Sequence, residues 1–96
     1  MTDAFVVRYR ATAAGAEENQ RLVEAVFAEL AATRPDGLEY AVYRLDDGVT
    51  FVHVASGYRD ALGRVAAFQE FQRDGDARRE TAPVATPASV VGVYRG

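Results

Sequence analysis

Residues 38–56 read LEYAVYRLDDGVTFVHVAS and are typical of a β-hairpin. Residues 38–45 and 49–56 are rich in β-branched and aromatic side chains, which favour strands. Between them, Asp46-Asp47-Gly48 contains an Asp-Gly pair, whose backbone angles suit a tight turn. The two strands are therefore predicted to be antiparallel neighbours.

The residues before this hairpin predict one further strand and one helix. Residues 4–12 alternate between two kinds of side chain with the period of two that is expected of a strand. A helix is predicted from Ala16 to about Arg34, because Pro35 disfavours helical geometry in the residue before it. Its buried stripe is predicted from the spacing of Val23, Val26, Phe27, Leu30 and Ala31.

The residues after the hairpin predict a second helix and a last strand. Asp60 is expected to cap this helix, which ends near Asp74-Gly75 or continues to Glu80. The side chains expected to face inward are Ala61, Leu62, Val65, Phe68 and Phe71. Two prolines, Pro83 and Pro87, then predict a short extended connection before a strand over residues 88–95.

The order strand, helix, strand, strand, helix, strand predicts an α+β, ferredoxin-like fold in one domain over residues 1–96. Both helices then cover one face of a four-stranded antiparallel sheet, with the first and third strands adjacent at its centre. The other face would carry apolar side chains: Val6, Val52, Val54, Val91 and Val93 or their alternates. Because such a patch is unfavourable in water, we expect a homodimer that buries the two sheet faces against each other.

Composition excludes several kinds of chemistry. The chain of 96 residues has no Cys and one His, which excludes disulfides, a cysteine nucleophile and a multi-histidine zinc site. We therefore expect neither a thiolate metal site nor a multi-histidine metal site. The net charge of −3 argues against a nucleic-acid partner. With no signal-like N-terminus and no apolar run of about 20 residues, we expect a cytoplasmic protein without a membrane partner.

Several short stretches resemble the antibiotic-biosynthesis-monooxygenase-like domains of the dimeric α+β barrel superfamily. They are residues 6–10, Ala14-Gly15 with the acidic turn after it, residues 51–54 and residues 68–71. The resemblance covers nearly the whole chain and implies a dimer. It also implies the chemistry of some members, which oxidise polyphenols to quinones without metal or flavin. The resemblance therefore implies no metal and no other cofactor. The characterised members use a tryptophan and a strand asparagine, but this chain has no Trp and its only asparagine, Asn19, lies near the start of the first helix.

His53 is the main candidate for catalysis. If Tyr9 and His53 both face the helices, they converge between sheet and helices. A buried imidazole there could act as general base towards a substrate hydroxyl, giving a phenolate that reduces oxygen directly. Tyr9 and Arg44 would orient a small aromatic or polyketide-like ligand. The remaining predicted ligand contacts are Phe27, Phe51 and Phe68.

Two structural alternatives remain for the same histidine. His53 is either a hydrogen-bonded core residue or a residue of the dimer face, and the protein would then be a non-catalytic ligand-binding or assembly module.

Other polar and aromatic side chains leave further possibilities open. Five tyrosines could line an aromatic pocket, and strand parity predicts that Tyr40 and Tyr43 point to opposite faces. The five are Tyr9, Tyr40, Tyr43, Tyr58 and Tyr94. Arg78-Arg79 either clamps an anionic substrate or forms a solvated helix end paired with Asp74, Asp76 and Glu80.

Overall fold

A computed structural model describes residues 3–57 and 59–94. Its elements are, in chain order, β1 (Ala4–Arg10), α1 (Ala16–Thr33), β2 (Leu38–Arg44), β3 (Thr50–Gly57), a 3₁₀ helix (Arg59–Arg64), α2 (Ala66–Gln72), α3 (Gly75–Arg78) and β4 (Val84–Ala88). The strands form one antiparallel sheet in the order β2-β3-β1-β4. The predicted α+β, ferredoxin-like fold with β1 and β3 at the centre is confirmed. A bilayer-spanning helix does not occur within the described residues.

The predicted hairpin joins β2 to β3. Gly48 adopts a φ of 78°, and its N–H donates to the Leu45 carbonyl at 2.9 Å. The Asp47 carboxylate accepts hydrogen bonds from the Thr50 hydroxyl and from the backbone N–H groups of Val49 and Thr50. These bonds lower the pKa of Asp47 to about 2. The turn is therefore held by its side chain as well as by glycine.

The strand register decides which side chains lie beneath the helices. Val7 pairs with His53, and Tyr9 pairs with Phe51. Because directly paired residues of an antiparallel sheet point to the same face, these four side chains share one side. Tyr9, Phe51 and His53 are buried there, whereas Val6 and its partner Val54 lie on the opposite face.

Helix α1 covers this side with a buried stripe that includes Leu22, Val23 and Val26. It ends as predicted, with Arg34 as a left-handed C-cap just before Pro35. The prediction that Ala31 is buried is wrong, since Ala31 is exposed. At about 100° per residue it lies roughly 120° around the helix from the centre of the stripe.

The second helical region begins differently from the prediction. Asp60 does not cap an α-helix but lies within the 3₁₀ helix, and α2 begins only at Ala66. The cap comes instead from α1: the Glu29 carboxylate accepts hydrogen bonds from the backbone N–H groups of Ala66 and Ala67, both at 3.0 Å. Sequence reasoning missed this cap because its two partners are 37 and 38 positions apart. The helical region then breaks at Asp74, whose φ is 56°.

The last strand lies earlier in the chain than predicted. Val84–Ala88 pairs with β1, and residues 89–94 lie outside the sheet. The prediction treated Pro87 as part of a connection, but β4 is an edge strand, where proline is tolerated because one side has no partner. The predicted end of the strand, Arg95, lies outside the described residues.

Glu29→Ala should destabilise the protein by about 1 kcal/mol, because two backbone N–H groups of α2 lose their acceptors. Urea denaturation followed by circular dichroism measures this loss. The matched control is Glu24→Ala on the same helix, where the carboxylate accepts an exposed 3.3 Å hydrogen bond from Gln20. Equal unfolding midpoints for the two variants would show that the Glu29 contact contributes nothing.

Candidate functional site

A chain of hydrogen bonds joins four side chains between the sheet and α1. The Asn19 side-chain amide nitrogen donates to the Tyr9 hydroxyl oxygen at 2.8 Å. The Tyr9 hydroxyl oxygen lies 2.9 Å from His53 Nε2, and the Tyr40 hydroxyl oxygen lies 2.7 Å from His53 Nδ1. Both imidazole nitrogens therefore have a tyrosine partner. The convergence of Tyr9 and His53 follows the sequence-based expectation.

Four different elements supply these side chains. β1 carries Tyr9, β2 carries Tyr40, β3 carries His53 and α1 carries Asn19. His53 lies in the strand between the two tyrosine-bearing strands, so a tyrosine reaches it from each side. Asn19 reaches Tyr9 from above, because α1 crosses the same face.

Burial sets the charge state of the site. His53 is 6% exposed, and its burial lowers the pKa of the imidazole to about 4, so that it is neutral at pH 7. Burial raises the pKa of both Tyr9 and Tyr40. For Tyr9 this effect is opposed by the Asn19 hydrogen bond and by the charges of two nearby arginines. All four side chains are therefore uncharged at neutral pH.

Aromatic rings surround the four hydrogen-bonded side chains. Tyr9 stacks on Phe51 with 5.7 Å between ring centroids, and Phe71 lies 5.4 Å from the His53 ring. Tyr40 is flanked by Phe27, stacked at 5.1 Å, and by Phe68, edge-on at 6.4 Å.

The three phenylalanines predicted as ligand contacts thus occupy two kinds of place. Phe51 is 1% exposed and belongs to the core, while Phe27 and Phe68 are half-buried beside Tyr40.

Arg44, the fourth predicted ligand contact, lies at the rim of this aromatic layer. Its guanidinium donates to the Gly48 carbonyl at 2.8 Å and to the Gln20 side-chain oxygen at 2.7 Å, and forms an ion pair with Glu17 at 3.0 Å. It borders an open cleft of about 290 Å³ between α1 and the sheet. The cleft is lined by Gln20, Val23, Glu24, Phe27, Val42, Arg44 and Phe51.

The other candidates lie at or beyond the edges of the site. Tyr43 is 57% exposed on the face opposite Tyr40, which confirms the predicted parity. Tyr94 is exposed, and Tyr58 lies outside the described residues.

Arg78 and Arg79 are half-buried at the end of α3, so this helix end is less solvated than expected. The expected pairing holds for Arg79, which forms an ion pair with Asp76 at 2.6 Å. Arg78 donates to the Phe71 and Arg73 carbonyls, and the Arg79 guanidinium lies 5.9 Å from the Tyr9 ring centroid. The two side chains are hydrogen-bonded or packed against the protein at the end of the site next to Tyr9.

Asn19 is the site residue that sequence reasoning missed. It is 1% exposed, although the sequence places it outside the strands that carry the other three side chains. The available signal was its spacing, since positions 19, 22, 23 and 26 follow the buried stripe of one helix. A polar residue on such a stripe needs a buried partner, and Tyr9 is that partner.

Comparisons with known proteins place the fold but give no close relative. No family model and no curated protein matches the chain. Among solved structures, a candidate antibiotic biosynthesis monooxygenase from Caulobacter crescentus is 21% identical, with a TM-score of 0.71 over 95% of this chain and 92% of that one. The chain has the fold of antibiotic biosynthesis monooxygenases.

Two further structures have the same fold. A protein from Mycobacterium tuberculosis is 16% identical, with a TM-score of 0.74 over 99% of this chain and 100% of that one. SnoaB from Streptomyces nogalater, a cofactor-independent oxygenase, is 19% identical, with a TM-score of 0.64 over 94% of this chain and 93% of that one. Because the likeness spans nearly the full length of each protein, it concerns the whole domain.

Protein stability should fall between pH 6.5 and pH 4 by about 3 kcal/mol through His53 alone. The imidazole pKa is lowered in the folded state, so in this window the unfolded chain binds a proton that the folded chain does not. The contribution is complete above pH 6.5 and is lost as the pH falls towards 4. Urea denaturation at a series of pH values measures it.

The control for this measurement is His53→Gln, because the chain has no other histidine. The free energy of unfolding of this variant should not fall between pH 6.5 and 5. A wild-type curve that stays flat over that interval would contradict a buried neutral imidazole.

Proposed function

We propose that the protein is a cofactor-independent oxygenase that acts on a small hydroxylated aromatic or polyketide-like molecule bound between sheet and helices. The observation that carries the proposal is the neutral His53 imidazole held between two tyrosine hydroxyls in an aromatic layer. The cleft beside Phe27 and Phe51 offers a route to this layer. The shared fold with SnoaB, a cofactor-independent oxygenase, adds support.

The reaction needs a substrate phenolate, since a phenolate is far richer in electrons than the neutral phenol. The phenolate reduces O₂, and a C–O bond forms at a ring carbon. The peroxide anion takes up one proton to become a hydroperoxide. Loss of water from the hydroperoxide, which includes the hydrogen of that carbon, leaves a quinone. One oxygen atom of each O₂ enters the ring and the other leaves as water, so no external reductant is required.

Tyr40 is the member of the hydrogen-bonded chain that meets the substrate. Tyr9 and Asn19 are almost fully buried, whereas Tyr40 is half-buried between Phe27 and Phe68. With the imidazole proton on Nε2, Tyr40 donates to Nδ1 and its oxygen can take the substrate proton, so that His53 is the base. With the proton on Nδ1, Tyr40 instead donates to the substrate oxygen and stabilises the phenolate. Arg44, at the rim of the cleft, would orient the ligand.

The oxygenase proposal predicts oxygen uptake with dihydroxyaromatic compounds in air-saturated buffer, measured with an oxygen electrode. His53→Gln and Tyr40→Phe should each lower the rate by about 10²-fold or more, because each variant breaks the contact that forms or stabilises the phenolate. The matched control is Tyr94→Phe, which removes a hydroxyl from an exposed residue. Wild-type uptake no faster than that of buffer across the panel would overturn the proposal.

A second candidate function, a ligand-binding module without catalysis, is favoured by one observation. Both His53 nitrogens already have protein partners, as in a satisfied core histidine. This function predicts that compounds of the same panel bind, by calorimetry, without oxygen uptake.

A second copy of the chain is the partner that we propose for the outer face of the sheet. Val6, Ala41 and Val54 are only half-buried on this face, and Tyr43 is 57% exposed. A groove of about 730 Å³ separates the face from residues 90–94, where Val91 is fully exposed. A twofold dimer would cover this apolar surface.

The dimer predicts a mass of twice the chain in sedimentation equilibrium at micromolar concentration. Val54→Glu should shift the population to monomer, because it places a charge in the proposed interface. Ala28→Glu, on the exposed side of α1, is the control and should leave the mass unchanged. A monomeric wild type would contradict the interface.

A further inference from the structure

Tyr9, His53 and Tyr40 together carry one more mobile proton than their two mutual hydrogen bonds require. Tyr9, Tyr40 and the neutral His53 each bring one mobile proton, while each of the two tyrosine–histidine hydrogen bonds takes one. One phenolic proton must therefore point out of the chain, at Tyr9 or at Tyr40. The imidazole tautomer decides which tyrosine keeps it.

The surroundings of Tyr9 disfavour a Tyr9 hydroxyl proton that is not donated to His53. The Asn19 amide already donates to the Tyr9 oxygen. If His53 Nε2 also donated to that oxygen, the Tyr9 proton would need another acceptor. Tyr9 is 4% exposed, and no further acceptor for it occurs among residues 3–57 and 59–94. A buried donor without an acceptor is unfavourable enough to shift the tautomer ratio by about tenfold.

The surroundings of Tyr40 accommodate the same proton. Tyr40 is half-buried, and its ring lies between Phe68 and Phe27, of which Phe27 lines the cleft beside the network. With the imidazole proton on Nδ1, Tyr9 donates to Nε2 and Nδ1–H donates to Tyr40. The Tyr40 proton is then free for water or a ligand.

We propose that Asn19 is a positioning residue that holds His53 in the Nδ1–H tautomer and thereby makes the Tyr40 hydroxyl a hydrogen-bond donor to the ligand. All four side chains then donate in one direction, from Asn19 through Tyr9 and His53 to Tyr40. Hydrogen bonds aligned in this way polarise one another and strengthen the last donor. Asn19 acts through the other three side chains and does not itself touch the ligand.

The Nδ1–H tautomer also determines which ionisation state of the substrate the site prefers, an inference that rests on the proposed oxygenase function. A strengthened donor at Tyr40 favours an anionic oxygen over a neutral hydroxyl. In the resting tautomer the basic nitrogen, Nε2, faces Tyr9 and not the ligand. The site therefore binds a substrate that has already lost its proton to the solvent. His53 supports Tyr40 as a donor to this phenolate instead of removing the proton itself.

Nitrogen NMR of the imidazole tests the proposal directly, because His53 gives the only histidine signals of the chain. In the wild type at pH 7 to 8 we expect a protonated Nδ1 and an unprotonated Nε2, with this tautomer in about tenfold excess. An excess of the Nε2–H tautomer, or an equal mixture, would overturn it. If the Asn19 amide were reversed, its oxygen would accept the Tyr9 proton and His53 would be in the Nε2–H tautomer. That result would also count against the proposal.

Asn19→Asp tests the role of the amide at nearly constant shape. Above the pH at which the new carboxyl ionises, its oxygen accepts the Tyr9 proton, so the tautomer should reverse to Nε2–H. The control is Gln72→Glu, the same amide-to-carboxylate change on an exposed residue, which should leave the wild-type tautomer in place. A folded Asn19→Asp protein that keeps the Nδ1–H tautomer would overturn the role of Asn19; if the variant does not fold, the wild-type tautomer still decides.

Different experimental results would overturn the Asn19 proposal and the oxygenase proposal. An Nδ1–H tautomer without oxygen uptake on any compound removes the oxygenase but leaves the donor chain. Oxygen uptake together with an Nε2–H tautomer removes the donor chain and leaves His53 as the base.

Discussion

One buried histidine needs a hydrogen-bond partner for each of two ring nitrogens, and this requirement links the elements of the helix-covered face. His53 lies in β3 beneath α1, where water does not supply partners. Tyr9 from β1 and Tyr40 from β2 supply them. The buried Tyr9 hydroxyl in turn accepts a hydrogen bond from Asn19 of α1. Three strands and a helix are thus positioned relative to one another by one polar network in an apolar layer.

The stability of the network and its chemistry have the same origin. Removing one partner from a buried network leaves a donor or acceptor unpaired, which costs about 1 to 3 kcal/mol. The same exclusion of water keeps His53 and both tyrosines uncharged at neutral pH. Proton positions in the network therefore depend on the protein partners, and a change at Asn19 reaches Tyr40 through two intervening side chains.

The two faces of the sheet have contrasting roles. The helix-covered face holds the polar network and the rings around it, and a cleft opens at its edge beside Arg44. The outer face presents Val6, Val54 and Tyr43, which share one side of the sheet by their strand pairing. The fold shared with the solved structures explains the layout of both faces, but the network belongs to particular side chains of this chain. The chemistry of the site therefore depends on the network and not on the fold alone.

The sequence by itself determined the order of strands and helices and the central position of β1 and β3. These features follow from local periodicity and from turn residues such as Gly48 and Pro35. Only the tertiary structure decided the face on which His53 and Tyr9 lie, the Glu29 cap of α2, the early edge strand with Pro87, and the place of Asn19 in the site. Each of these depends on a partner distant in sequence or on a strand's position in the sheet, and periodicity within one element carries no information about either. The pairing of both His53 nitrogens belongs to the same class, because Tyr40 and Tyr9 meet the imidazole only after three strands have aligned.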